Sequence, residues 1–391
     1  MRLVQIFSLC LLLVLVSCGY KAPTNATPVS KIKDRVLLAN SQSNLIQVID
    51  AQTDILSTFT ISVSAAPTKL VESADKATTL VYDSAAHQVA AISNAKETEV
   101  GSSIALPAAS ESLAISPNGQ TGYAALPAAT CSGSVIVGAI GVIDFANSKI
   151  KSCVAVAAAR HIVLSHNGST LLVFSDNSNT VNAVNTTSLA VVAIGPASFD
   201  QPVSAVFSAD DSSAFILSCG SECGGTAASV TSVSAVGSAA PVIGASTALD
   251  VGREGLLNGP TLYVAGTNPN VGGELQIVDT GTLTASVPVA ITDGTHDTIA
   301  LQGSTIFIGA RGCSNSAHGC LSMVDAGSKQ VFFNRANSGS DDVTGMEAIP
   351  GRSAVYICEG GELRIYDAGT RALQALQIDI VGNAQDVREV F

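Results

Sequence analysis

A unit of roughly forty residues recurs about eight times along the chain. It opens with Val36-Leu37-Leu38-Ala39-Asn40 and Gln47-Val48-Ile49-Asp50 and returns until the last residue. One such unit cannot bury both of its faces alone, so a fixed period of this size implies similar β units packed side by side. The units open at Val36, Thr79, Thr121, Leu171, Ala214, Thr261, Thr305 and Ala354. Their first elements, such as Leu172-Val173-Phe174, Phe215-Ile216-Leu217 and Val355-Tyr356-Ile357, are β-branched and aromatic runs bounded by Gly, Asn and Ser, which read as strands. The second elements end in Val48-Ile49-Asp50, Val142-Ile143-Asp144, Ile277-Val278-Asp279, Met323-Val324-Asp325 or Ile365-Tyr366-Asp367. A carboxylate repeated in nearly every unit belongs to an Asx-type turn rather than to catalysis. The third strand is Ser57-Thr58-Phe59-Thr60-Ile61 in the first unit and Ala375-Leu376-Gln377-Ile378 in the last. The fourth, such as Leu113-Ala114-Ile115, runs into Ser116-Pro117-Asn118-Gly119, with Asn167-Gly168 and Asn258-Gly259 at matching places. Asn-Gly supplies the positive φ values of a tight hairpin, so the fourth strand of one unit is expected to pair with the first strand of the next.

These residues resemble the YVTN-type β-propeller repeat. Tyr263-Val264-Ala265, Ser43-Asn44, Val48-Ile49-Asp50 and Ser116-Pro117-Asn118-Gly119 carry the likeness, which spans roughly residues 36 to 391. The resemblance implies an all-β chain forming a single β-propeller, with the strand before the Ser-Pro-Asn-Gly turn lining a central channel. Eight units point to eight four-stranded blades; seven, common among such repeats, is the alternative. The chain would then begin with a second strand, and Asp386-Val387-Arg388-Glu389-Val390-Phe391 would return as the missing inner strand beside Leu37-Leu38-Ala39. That closure hides sheet edges that otherwise invite aggregation. The chain contains no Trp, which argues against WD40 and quinoprotein-type blades.

Met1-Arg2 is followed by an apolar stretch from Leu3 to Val16, too short to span a bilayer and matching the core of a signal peptide. It runs into Leu15-Val16-Ser17-Cys18, which resembles the bacterial lipobox. That resemblance implies a signal peptide over 1–17, lipidation of Cys18, a polar tether over 18–34 broken by Pro23 and Pro28, and a propeller domain over 35–391. Gly19 after the cysteine implies the outer membrane of a Gram-negative cell. The formal net charge of −12 opposes nucleic-acid binding, which needs clustered Lys and Arg. A charged fraction of 13%, about half the usual share, suits strands covered on both faces.

An exported chain lives where disulfides persist. Cys131, Cys153, Cys219, Cys223, Cys313, Cys320 and Cys358 lie beyond the anchor, and local spacing favours 131–153, 219–223 and 313–320, with Cys358 left as a buried thiol. No Cys-x-x-Cys pair occurs and His318 stands alone, so neither a metal nor another cofactor is expected. His161 and His296 begin inner strands, with Arg160 and Asp297 beside them; Lys69, Glu111, Asp250, Arg253, Asp342 and Asp386 occupy similar positions at the channel entrance. Loops from every blade converge there, making it the place to expect a ligand. The reading is a lipid-anchored monomeric module of the cell envelope that binds or scaffolds other envelope proteins or polysaccharide, without catalysis. The alternative is a hydrolase of the lactonase kind acting through Arg160, His161, His296 and Asp297, which would have to converge within ~4 Å of one point. The lipobox makes a direct prediction. Cys18→Ser moves the protein from the membrane pellet to the soluble fraction on cell fractionation, and a variant that stays in the pellet contradicts lipidation.

Overall fold

In the computed structural model, which describes residues 29–64, 66–195, 198–314, 319–333, 341–374 and 378–390, the eight unit openings fall on the strands Arg35–Asn40, Thr78–Asp83, Thr121–Thr130, Thr170–Ser175, Ser213–Ser218, Thr261–Asn268, Thr305–Arg311 and Ala354–Glu359. Residues 1–28 with Cys18, residues 375–377 of the expected last outer strand, His318 and Phe391 lie outside the described residues. These second strands have a neighbour on each side and a blade against each face, so all six residues of Arg35–Asn40 and of Ala354–Glu359 are buried. Burial on both faces is why they read as unbroken apolar runs instead of alternating ones.

The described residues form eight antiparallel sheets, each with its inner strand first in the blade. The inner strands are Ala384–Glu389 in blade 1, Lys69–Glu72 in blade 2, Ser112–Ile115 in blade 3 and Ala159–Leu164 in blade 4; they continue with Pro202–Phe207 in blade 5, Glu254–Asn258 in blade 6, Thr295–Gln302 in blade 7 and Val343–Ala348 in blade 8. Each touches the inner strand of the next blade, and blade 8 touches blade 1, so the ring is closed around a channel. Eight blades, not seven, complete it. In blade 6 the outer strand is broken into Thr284–Ala285 and Val289–Ile291, both paired with Gly272–Asp279.

Closure follows the expected route. Ala384–Glu389 pairs antiparallel with Arg35–Asn40, Leu37 facing Arg388 and Leu38 facing Val387. This clasp also reaches sideways: Asp386 Oδ2 accepts the backbone N–H of Leu70 in blade 2 at 2.9 Å, and Arg388 Nη1 donates to the Met346 carbonyl of blade 8 at 3.1 Å. Side-chain pairs stitch the outer seams: Arg35 to Glu97 at 2.9 Å between blades 1 and 2, and Arg352 to Asp54 at 2.6 Å between blades 8 and 1.

The repeated carboxylates close turns, as expected. Asp279 Oδ1 accepts N–H groups of Gly281 and Thr282 at 2.9 and 2.8 Å, and Asp325 Oδ1 those of Gly327 and Ser328 at 3.1 and 2.8 Å. Hydrogen bonds from Asn147, Thr282, Ser328 and Thr370 hold Asp144, Asp279, Asp325 and Asp367 below the usual carboxylate range. The Asn-Gly turns differ from expectation. Only the glycines, Gly119 at φ 68° and Gly168 at 73°, take positive φ; Asn118 instead accepts from the Ser116 hydroxyl at 2.8 Å and the Gln120 N–H at 3.2 Å. A wider, side-chain-capped turn does the work of the two-residue hairpin at these two sites, whereas Asn258 and Thr261 face each other across the two-residue turn Gly259-Pro260, with Gly259 at φ 57°.

Asp386 is fully buried, with its carboxylate 3.2 Å from the Arg388 guanidinium. Removing it takes the nearest carboxylate from Arg388 and strands the Leu70 donor. Asp386→Ala is therefore expected to lower unfolding stability by about 3 kcal/mol, read as a fall in the urea midpoint; an unchanged midpoint would show that the clasp does not depend on this carboxylate.

Candidate functional site at the channel entrance

Near its N-terminal end each inner strand carries one extra residue against its neighbour. The register slips between Ala159 and His161, Pro202 and Ser204, His296 and Thr298, Val343 and Gly345, and Ala384 and Asp386. In blades 2, 3 and 6 two residues likewise face one: Thr68 and Lys69 face Tyr82, Glu111 and Ser112 face Ala125, Arg253 and Glu254 face Ala265. A β-bulge of this kind re-aims the side chains around it. Residues before the bulge turn into the core: Ala159, His296, Val343 and Ala384 are at most 1% exposed. The residue after it, Lys69, Ser112, His161, Ser204, Glu254, Thr298, Gly345 or Asp386, stands at one level of the channel, hereafter the neck.

The bulge separates the two histidines that look alike in sequence. His296 lies before it, buried between blades, and its Nε2–H donates to the Thr292 carbonyl at 2.9 Å. Burial pushes its pKa down to about 4. His161 lies after it, at the neck, with its ring 6.0 Å from that of Phe174, and desolvation also lowers its pKa to about 4. The bulge residues form a rim of paired charges. Arg160 holds Glu111 at 2.6 Å and Asp176 at 2.7 Å, and Asp297 pairs with Arg311. Arg253 lies 3.5 Å from Glu222, which also accepts the Thr267 N–H at 2.9 Å. Asp342 accepts the Gly312 N–H at 2.8 Å, and Asp250 is exposed, its backbone N–H bonded to Gln276. Among the described residues no hydrogen bond or ion pair joins any two of Arg160, His161, His296 and Asp297. The structure thus brings Glu111 to Arg160 and Asp386 beside Lys69, and keeps the remaining candidates apart.

Glu254 is the neck residue that the sequence reading passed over, although it directly follows Arg253. Desolvation raises its pKa to about 7, against the opposing fields of Lys69 and Arg253 and a backbone N–H from Gly255. Lys69, opposite it in the ring, is lowered from the ordinary ammonium range by desolvation, with Asp386 opposing and Arg388 and Arg311 reinforcing. Lys69 is an exposed residue at the start of an inner strand, so water reaches its side chain. Toward the far end an ion cluster joins blades 8, 1 and 2: Arg388 meets Asp386 at 3.2 Å, Glu72 at 3.5 Å and Glu347 at 3.7 Å, and Lys76 meets Glu72 at 3.1 Å. Burial raises Glu347 to about 8. Among the described residues no three of His, Cys, Asp and Glu gather to hold a metal ion.

The two faces of the ring differ. The disulfides Cys131–Cys153, Cys219–Cys223 and Cys313–Cys320 form as expected, and all close loops on the entrance face. Cys358 is a buried free thiol. The chain enters at the opposite face, where Ser30 N–H meets Glu97 at 2.6 Å.

No protein-family model matches this sequence, and no curated protein matches it. Solved structures do. Dihydro-heme d1 dehydrogenase NirN is similar at a TM-score of 0.64 and 12% identity, over 93% of this chain and 78% of that one. The periplasmic gluconolactonase PpgL of Pseudomonas aeruginosa is similar at 0.53 and 15%, over 92% and 98%. A functionally unknown protein of Desulfotomaculum acetoxidans is similar at 0.56 and 12%, over 91% and 99%. At such identities the likeness carries the fold, a β-propeller, and nothing finer.

Both depressed histidines bear on stability. The unfolded chain protonates His near 6.5 while the fold favours the neutral ring, so their contribution is full above about pH 6.5 and is lost as pH falls toward 4. NMR titration of the ring protons should give midpoints near 4 for His161 and His296; a midpoint near 6.5 for either would contradict its desolvated setting.

Proposed function

We propose that this protein is a binding module of the cell envelope, held by a lipid on Cys18, which meets other envelope proteins or polysaccharide with its entrance face and performs no catalysis. The observation that carries the reading is the asymmetry of the ring. The entrance face bears the disulfide-closed loops and the exposed apolar side chains of Val135, Val271 and Val381, at 98%, 70% and 88% exposure. The opposite face, where Ile55 and Val242 are exposed in turn, bears short capped turns without a disulfide among the described residues and receives the chain from its N-terminal side. A lipid at Cys18 would tether that opposite face to the membrane and turn the stapled loops away from it, toward partners. Loops braced by a rigid scaffold are where recognition residues usually sit.

The hydrolase reading has less behind it. His296 is buried and bonded to a backbone carbonyl, and Arg160 and Asp297 are engaged in separate ion pairs. A general base and its partners must share hydrogen-bond reach of one reacting atom. Crosslinking followed by capture of the tagged full-length lipoprotein from detergent-solubilised envelopes is expected to recover a defined protein or glycan partner, and to lose it when Val135 and Val271 are both changed to Asp. Recovery of no partner, combined with lactone hydrolysis that a folded His161→Ala variant loses, would replace this proposal with the enzymatic one.

A further inference from the structure

The rim charges are paired among themselves, and toward the far end Arg388 is paired with carboxylates of blades 8, 1 and 2. Between them, at the neck, two opposite charges are not paired with each other. Lys69 comes from blade 2 and Glu254 from blade 6, half a turn of the ring apart, and neither forms an ion pair among the described residues. Each feels the other's field, yet both strands are fixed by ladder hydrogen bonds, so the side chains cannot close the gap by moving their backbones. Charges partly withdrawn from water and left apart are costly to hold. The wall between them is polar as well: Ser112, His161 and Ser204 line one arc. On the other stand Thr298, Gly345 and Asp386, the last already bonded to the Leu70 N–H and paired with Arg388.

We infer that the neck is a binding site for a small zwitterion, a molecule such as a free amino acid or short peptide, with its carboxylate on the Lys69 ammonium and its ammonium on the Glu254 carboxylate. This goes beyond the scaffold reading and does not depend on it. A ligand carrying one charge satisfies one wall and leaves the other unmatched; a zwitterion of the right length completes the ion pair that the width of the ring prevents. Field lines in a low-dielectric channel are concentrated at such a constriction, which strengthens both contacts. The neutral His161 ring lies on the arc joining the two charges and offers one donor and one acceptor to the middle of the ligand.

The test is isothermal titration calorimetry of the full-length, detergent-solubilised protein at pH 8, with glycine, glycylglycine and triglycine as zwitterions of increasing charge separation. Acetate and ethylammonium serve as single-charge controls. One of the three zwitterions should bind at least tenfold more tightly than either control, and Lys69→Met and Glu254→Gln should each weaken it at least tenfold. A measurement on the unmodified protein guards against a misfolded variant: the His161 ring signals should move on addition of that zwitterion while those of the buried His296 stay in place. Absence of binding by all three, equal binding of acetate, affinity unchanged in both folded variants, or a His161 signal that does not respond would each overturn the site. Partner capture by the entrance face reads out separately, so failure of one proposal is distinguishable from failure of the other.

Discussion

Without the strand Ala384–Glu389, the hydrogen-bonding edge of Arg35–Asn40 would face the channel unsatisfied, and blade 1 would lack its inner strand. A sheet edge of that length is a template for unwanted pairing. Its partner lies more than three hundred residues away in sequence, so the pairing joins the most distant parts of the chain. The clasp does more than cover an edge. Through Asp386 it holds the Leu70 N–H of blade 2, and through Arg388 it holds the Met346 carbonyl of blade 8, so the same six residues fix both neighbouring seams. The buried charges there are tolerated because each has partners: Arg388 is surrounded by Asp386, Glu72 and Glu347. An unpaired guanidinium in that position would cost far more than the pairing returns.

A single irregularity repeated around the ring then decides which side chains see the channel. The bulge near the start of each inner strand turns one residue inward to the core, places the extra one at the rim and the next at the neck. Regular strands would have produced a plain alternation and a different lining. The rim resolves into local pairs such as Arg160 with Glu111 and Arg311 with Asp297, whereas the neck keeps Lys69 and Glu254 on separate, rigid walls. The difference follows from spacing: rim side chains have neighbours within reach on adjoining loops, and Lys69 and Glu254 stand four blades apart.

Much of the architecture was legible because period and turn chemistry are written residue by residue. Val36, Thr79, Thr121, Leu171, Ala214, Thr261, Thr305 and Ala354 all fall in second strands, the Asp repeats close their turns, and the three disulfides join neighbouring cysteines. The site was less legible. His161 and His296 occupy what look like equivalent places, yet one follows its bulge and the other precedes it. Nothing in composition marks an extra residue in a strand, and a shift of one residue moves a side chain from channel to core. The same slip hid Glu254 behind the more conspicuous Arg253, and led Asp386, a buried seam residue, to be grouped with the exposed Asp250.

Joining the two ends of the chain in one sheet also sets an order of assembly. Blades 2 to 8 each contain strands that follow one another directly, so they can form as the polypeptide emerges. Blade 1 must wait, with Leu37, Ile46 and Ile49 assigned to a core whose last wall has not yet arrived. A polypeptide without Ala384–Glu389 is therefore not a slightly smaller ring but one with the channel-side edge of Arg35–Asn40 left bare. Chaperones and proteases that recognise bare strand edges would meet it first.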